Sequence, residues 1–268
     1  MVQCTVLIEC APMAGYTTPE FRKALRENGA RVLWTEMVSV AAMFYRNPKT
    51  LKLLGCEKID GIKNVVQLFG HVPEQFEFAI KSGHLDAFDE ININMGCPAN
   101  KVVRNKEGVA LMANAELAGE IIRTCIRASK VPVSVKIRLG WKAGFDYVGF
   151  AKMCESAGAS RLIVHGRYGE QGYSGTANWE AIAEIVRAVK TPVIANGDVR
   201  DLISAKKCLE VTGASGVMVG RVLLPLYRKY FPANLRILRG EKICKDGGFI
   251  ACCPAHIIEL FGFCGRSE

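Results

Sequence analysis

The chain has no run of 18 or more consecutive apolar residues, which excludes a membrane-spanning helix. No basic residue precedes its first apolar run in Met1-Val2-Gln3-Cys4-Thr5-Val6-Leu7-Ile8, so the N-terminus does not read as a secretory signal. Low-complexity, collagen-like and disordered compositions are missing as well: 50% of the residues are hydrophobic and 23% charged, the balance of a folded globular protein. Two clean Cys-x-x-Cys pairs are lacking, which argues against a zinc site. The first turn after a strand, Ala11-Pro12-Met13-Ala14-Gly15, lacks the Gly-x-Gly-x-x-Gly pattern of a dinucleotide-binding sheet.

What is present is informative. The 11 cysteines are an odd number scattered through 268 residues. Without a secretory signal they read as reduced thiols in a cytoplasmic protein, most of them small core residues. Lysine and arginine number 35 against 26 acidic residues, a net charge of +9. That excess suits solubility or a polyanionic partner such as nucleic acid, and charge alone does not choose.

Short, β-branched, apolar runs at 5–10, 31–35, 64–69, 90–94, 131–137, 161–165, 191–195 and 216–219 read as strands buried on both faces. Amphipathic stretches at 19–28, 73–82, 115–129, 147–157, 179–189 and 201–212 read as helices between them. Gly29, Gly158 and Gly213 suit the position just past a helix end. Eight strands alternating with helices predict a (β/α)8 barrel over residues 1–225. Residues 226–268 change character, with seven basic residues, four cysteines and weak periodicity, and read as a short helical C-terminal appendix. Its Cys244, Cys252, Cys253, Cys264 and His256 are taken as uncoordinated, and no metal is expected. His71, His84 and His256 read as structural.

In a barrel the site forms at the C-terminal ends of the strands. Polar residues gather at those ends here: Glu36, Gln67, Asn94 and Cys97, Lys136 and Arg138, His165 and Arg167, Asn196 to Asp198, and Gly220-Arg221. The loops after the seventh and eighth strands often hold a phosphate through backbone N–H groups, and Arg221 adds a charged fork.

The chain resembles the tRNA-dihydrouridine synthase family. The motifs are APMAG at 11–15, TEMVS at 35–39, VQLFG at 66–70, INMGCPANKV at 93–102, ALM at 110–112, VKIRLGW at 135–141, VHGR at 164–167, EQGYSG at 170–175, NWEAI at 178–182, PVIANGDV at 192–199 and TGASGVMVGR at 212–221, in the family order. The resemblance implies an FMN-dependent oxidoreductase in which NADPH, or NADH, is the reductant and uridine in tRNA becomes 5,6-dihydrouridine. It implies Cys97 as the acid that protonates C5. It also implies a flavin shell of Pro12, Met13, Ala14, Gln67, Lys136, His165, Asn196, Gly197, Asp198, Gly220 and Arg221. Asn94, Arg138 and Arg167 are the expected substrate contacts. A monomer with tRNA as partner is expected. A flavin barrel acting on a free pyrimidine, and an RNA-binding protein with little turnover, are the alternatives.

The sequence departs from the family pattern at Thr18, where an aspartate is usual, at Tyr168-Gly169, where Thr-Arg is common, and at Leu224-Pro225-Leu226-Tyr227, where Gly-Asn-Pro-Trp is usual. The C-terminal region is also shorter than the family's tRNA-gripping domain. These departures bear on the RNA more than on the flavin shell.

Overall fold

Each strand is short because its apolar run is short. In the computed structural model, which describes residues 7–230, the strands are β1 (Leu7–Cys10), β2 (Val32–Ser39), β3 (Lys63–Phe69), β4 (Glu90–Met95), β5 (Val133–Ile137), β6 (Leu162–His165), β7 (Val193–Asn196) and β8 (Gly216–Val219). All pair in parallel in one sheet of order β1-β8-β7-β6-β5-β4-β3-β2, the ring of a (β/α)8 barrel. No ladder joins β1 to β2 among the described residues. That seam is spanned by side chains instead: Trp34 Nε1 donates to Glu9 Oε2 at 3.0 Å, and the Gly15 N–H donates to Glu36.

The predicted helices are present as α1 (Pro19–Glu27), α4 (Pro73–Lys81), α6 (Ala115–Ala128), α7 (Tyr147–Ser156), α8 (Trp179–Ala188) and α9 (Leu202–Thr212). Four further short ones lie at α2 (Val40–Phe44), α3 (Pro48–Leu51), α5 (Asn100–Arg104) and α10 (Leu224–Tyr230). Most long helices begin at a short polar side chain that accepts from the first turn. Asn114 accepts from Leu117, Asp146 from Gly149, Asn178 from Ala181 and Asp201 from Ser204.

Thr18 belongs to this set. Its hydroxyl accepts from the Phe21 N–H at 3.3 Å, so it does at the head of α1 what an aspartate would do. Thr18→Ala is expected to cost about 1 kcal/mol and Thr18→Asp close to nothing. Urea unfolding of the three proteins checks this; equal losses in both variants would remove the cap from the account.

The barrel wall is packed on two sides. Outside it, Phe21, Phe76, Ile121, Ile122, Ile182 and Ile185 seal helices onto strands. Inside, Trp34, Val65, Ile163, Ile194 and Met218 fill the lumen. α10 crosses the 225/226 boundary expected from the sequence. Its Leu226 and Tyr227 are buried, and the Tyr227 ring packs edge-on against Tyr16 and Phe21 of the α1 side, at 5.0 and 5.1 Å between centroids. The remainder of the appendix, with its cysteines and His256, lies outside the described residues. Among the described residues no helix is long and apolar enough to cross a membrane, and no cluster of three or more His, Cys, Asp or Glu side chains is placed to hold a metal.

The floor of the lumen is charged. Glu9 and Glu90 are almost fully buried. Arg161 sits between them, ion-paired to Glu9 and donating to Glu90 at 2.9 and 3.0 Å. Lys63 closes the rim at 2.6 Å from Glu90. The Arg161 guanidinium also lies 5.6 Å from the Trp34 ring centroid. Burial opposes its charge, but the two carboxylates outweigh this and hold it above its usual range.

Candidate active site

At the opposite end of the barrel, the strand ends place a dense set of donors. Lys136 on β5 points into the mouth, and its Nζ donates to Asn196 Oδ1 on β7 at 2.9 Å. The orientation of that amide is fixed, because Asn196 Nδ2 donates to the Met218 carbonyl at 2.9 Å. Burial, helped by the neighbouring Arg138 guanidinium, pulls the Lys136 ammonium down to about 7. His165 at the end of β6 is pushed well below its ordinary value by burial and by the cations around it. It is therefore a neutral imidazole at physiological pH. Arg167 Nη1 lies 3.4 Å from His165 Nε2, and because a guanidinium only donates, Nε2 is the acceptor.

The β7–α9 turn carries an acid at the mouth, Asp198. Asp198 accepts from Arg167 Nη2 at 2.8 and 2.9 Å, from Arg221 Nη2 at 3.0 Å and from the Ala177 N–H at 2.7 Å. Burial works against its charge, but the Ala177 N–H and the two arginines hold it below the usual carboxylate range. Gly197 beside it has φ +119, and a Cβ there would stand 2.7 Å from the Ala177 Cβ and 3.1 Å from the His165 ring. Only bare backbone fits at that position.

Cys97 lies on the turn after β4. The Gly96 and Cys97 N–H groups both donate to Asn94 Oδ1, at 3.1 and 2.9 Å. Arg138 Nε donates to the Gly96 carbonyl at 2.9 Å, and the Val109 N–H to the Cys97 carbonyl at 3.1 Å. The intervening Gly108 has φ +61, and a Cβ there would meet the Cys97 carbonyl at 2.6 Å. The turn is thus clamped from three sides. Burial raises the Cys97 thiol above its ordinary value, so it stays protonated near neutral pH.

The residues singled out from sequence do converge on this end, but their partners differ in kind. Pro12, Met13 and Ala14 form the β1–α1 turn, in which the Met13 carbonyl accepts from the Tyr16 and Thr17 N–H groups at 3.0 Å. Gly220 faces it, with the Met13 sulfur 3.9 Å from where its Cβ would be. Gln67 is fully buried between Asn92 and Asn94. Arg138 spends Nε on Gly96 and Nη1 on the Tyr168 and Gly172 carbonyls, each at 2.9 Å. Arg167 is 1% exposed and ties the Ser174 and Gly175 carbonyls to Asp198. Both arginines therefore staple the β6–α8 loop over the mouth.

That loop carries Tyr173, which was not singled out from sequence. It is exposed, yet its ring lies 5.7 Å from the Arg138 guanidinium, 5.3 Å from that of Arg221 and 6.3 Å from the His165 ring. Its only sequence signal is its place within EQGYSG. Glu36, placed at the end of β2 by the sequence but given no role there, is half-buried and raised by that burial, and it fastens the β1–α1 turn through the Gly15 N–H.

A parallel barrel whose mouth carries Lys136, Arg138, Arg167 and Arg221, the last two on the Asp198 carboxylate, with bare backbone after β7 and the Cys97 turn beside it, is a candidate site for an anionic ligand. Residues 9–226 match the family model for dihydrouridine synthase, and the chain belongs to that family. It is 40% identical over 212 residues to a probable tRNA-dihydrouridine synthase of Rickettsia conorii, covering 79% of this chain and 64% of that protein. It is 35% identical over 221 residues to tRNA-dihydrouridine synthase B of Yersinia pestis, covering 82% and 68%. This chain thus spans just under two thirds of the Rickettsia relative's length. Among solved structures, a mandelate oxidase variant with benzaldehyde superposes with a TM-score of 0.57 at 19% identity, over 96% of this chain and 74% of that one, a likeness of fold.

Proposed function

We propose that this chain is the catalytic barrel of a tRNA-dihydrouridine synthase, using FMN reduced by NADPH or NADH, with Cys97 as the acid. The observation that carries the reading is the pairing of a thiol kept protonated by burial with a cationic mouth on the same barrel face.

The residues present fit a flavin mononucleotide. Lys136 donates to a neutral amide, and burial disfavours its charge, so an anionic group in the mouth would supply the counter-charge that holds it as an ammonium. The bare backbone at Gly197 and Gly220, with Arg221 alongside, suits a phosphate. Pro12, Met13 and Ala14 would border the ring. Lys136, Gln67 and His165 would face its polar edge, and Asn196, Gly197, Asp198, Gly220 and Arg221 the ribityl-phosphate end. When bound and reduced, the group supplies the hydride that uracil C6 receives.

The protein's own part is proton supply and positioning. The uracil C5=C6 bond is conjugated to the C4 carbonyl, so addition at C6 leaves negative charge spread to C5 and O4. The Cys97 thiol gives its proton to C5 and quenches that charge. Arg138 fixes the Cys97 turn through the Gly96 carbonyl and, with Arg167 and Asn94, borders the space a uracil would enter. The uridine must be extruded from its stack to reach this depth.

Purified protein should be yellow and release FMN; release of FAD, or failure to take up added FMN, overturns the cofactor assignment. Lys136 gives a second check. Its depressed value of about 7 means that near pH 8 it is largely neutral in the ligand-free protein. An anion filling the mouth favours the charged form, so FMN binding at pH 8 is expected to take up part of a proton. Calorimetry in buffers of differing ionisation enthalpy reads this, and Lys136→Met should abolish it. Because Lys136 is lowered in the folded state, its cost to stability is absent above about pH 10, where both states are neutral, grows as pH falls from about 10 to about 7 while only the unfolded chain takes up the proton, and is complete below about 7.

A further inference from the structure

The lumen holds a set of side chains that the proposed mechanism does not use. Asn92 and Ser134 are fully buried one layer below the mouth, side by side across β4 and β5, with Gln67 on the other side across β3. They form a continuous chain of hydrogen bonds. Ser134 Oγ donates to the Glu90 carboxylate. Asn92 Nδ2 donates to Ser134 Oγ at 2.8 Å, and Gln67 Nε2 to Asn92 Oδ1 at 2.8 Å. Asn94 Nδ2 donates to Gln67 Oε1 at 2.8 Å, and the Cys97 and Gly96 N–H groups donate to Asn94 Oδ1.

Every donor in this chain points toward the floor. Both ends enforce that sense. A carboxylate paired with Arg161 and Lys63 only accepts, and a backbone N–H only donates. The three amides between them, Asn92, Gln67 and Asn94, can each be turned over, but turning one obliges the next to turn. A reversed chain would bring an Asn94 NH2 against the Cys97 and Gly96 N–H groups, donor against donor. With Ser134, Asn92, Gln67 and Asn94 buried and the Gly96–Cys97 turn partly so, such a mismatch leaves polar groups unpaired at a costly depth.

We propose that Asn92 and Ser134 are positioning residues for Cys97: anchored on the Glu90 carboxylate, they fix through Gln67 the direction in which the Asn94 amide faces, and so hold the Cys97 turn. The role rests on the reading of Cys97 as a working thiol of this site, but its test does not depend on turnover.

Two substitutions at Asn92 separate positioning from mere support. Asn92→Leu keeps the branched skeleton but offers Gln67 no acceptor, so the Gln67 and Asn94 amides lose their fixed sense. Asn92→Asp keeps an acceptor toward Gln67 and preserves that sense, although it buries a second carboxylate near Glu90 and must lower stability. The readout is the rate at which iodoacetamide alkylates Cys97 in the full-length chain, followed by peptide mass spectrometry. Cys56, a half-buried thiol between α3 and β3, serves as internal control for general loosening. A released turn exposes the Cys97 thiol and relieves the burial that keeps it protonated, so alkylation accelerates.

Asn92→Leu is expected to speed alkylation of Cys97 relative to Cys56 by about fivefold or more, the scale of one lost buried hydrogen bond. Asn92→Asp should stay within about twofold of the parent despite its lower melting temperature. If Cys97 reactivity instead follows melting temperature across the variants, if both thiols accelerate together, or if neither variant changes Cys97, the proposal is overturned. Should Asn92→Leu fail to fold, Ser134→Ala carries the comparison: faster Cys97 alkylation with Cys56 unchanged supports the chain, and an unchanged ratio overturns it. Full turnover by a Cys97→Ala protein would remove the acid role of Cys97 while leaving this result to stand or fall on its own.

Discussion

Cys97→Ala is expected to lower dihydrouridine formation by about 10²–10⁴-fold, the usual contribution of a general acid. FMN content and reduction of the flavin by NADPH should persist. A methyl group cannot deliver the C5 proton, whereas the contacts that form the mouth do not pass through the thiol. The turn should survive, because its clamps are backbone groups: the two N–H groups on Asn94, the Gly96 carbonyl on Arg138 and the Cys97 carbonyl on Val109. Cys97→Ser is the informative companion. A hydroxyl can donate a hydrogen bond but is a far weaker acid than a thiol, so the serine protein should resemble the alanine one. Turnover of either variant within a few-fold of the parent would take the acid role away from Cys97.

The second large effect lies at the other end of the barrel. Arg161→Met is expected to destabilise the protein by about 3–5 kcal/mol, because it leaves Glu9 and Glu90 buried without their shared partner. Both carboxylates are at most 1% exposed, so water does not replace the guanidinium. Adding Glu9→Gln to Arg161→Met should recover part of the loss, because Glu9 is the carboxylate left without a cation while Glu90 keeps Lys63. Urea unfolding reads both. A loss below about 1 kcal/mol in the single variant would mean that the floor network is solvated, contrary to its burial.

The strands were legible because each is a short apolar run between polar breaks. The apolar pattern of β2 runs only to Thr35, where Glu36 interrupts it. The strand nonetheless continues to Ser39 through an irregularity between Trp34 and Met37. The short helices α2, α3 and α5 span at most five residues, too few to display a 3.6-residue period. At the site, the sequence carries residue type and strand end, and these put Cys97, Lys136, His165 and Asp198 at one mouth. It does not carry which atoms surround a side chain. Arg138 and Arg167 are suited by type to a substrate, and the fold brings their donors to loop carbonyls and Asp198. Asn94 likewise meets the Cys97 turn. Tyr173 is a lone aromatic in a loop, and only the folding of that loop brings it among three cationic or ring partners.

The most direct test of the account is turnover by the purified full-length chain, supplied with FMN and NADPH, on tRNA lacking dihydrouridine and, separately, on free uridine, with product counted by mass spectrometry. The account predicts dihydrouridine at a defined tRNA position, none from the free nucleoside at comparable concentration, and loss of product in the Cys97→Ala protein. Product from free uridine alone, or tRNA binding without product in a flavin-loaded protein, would contradict it.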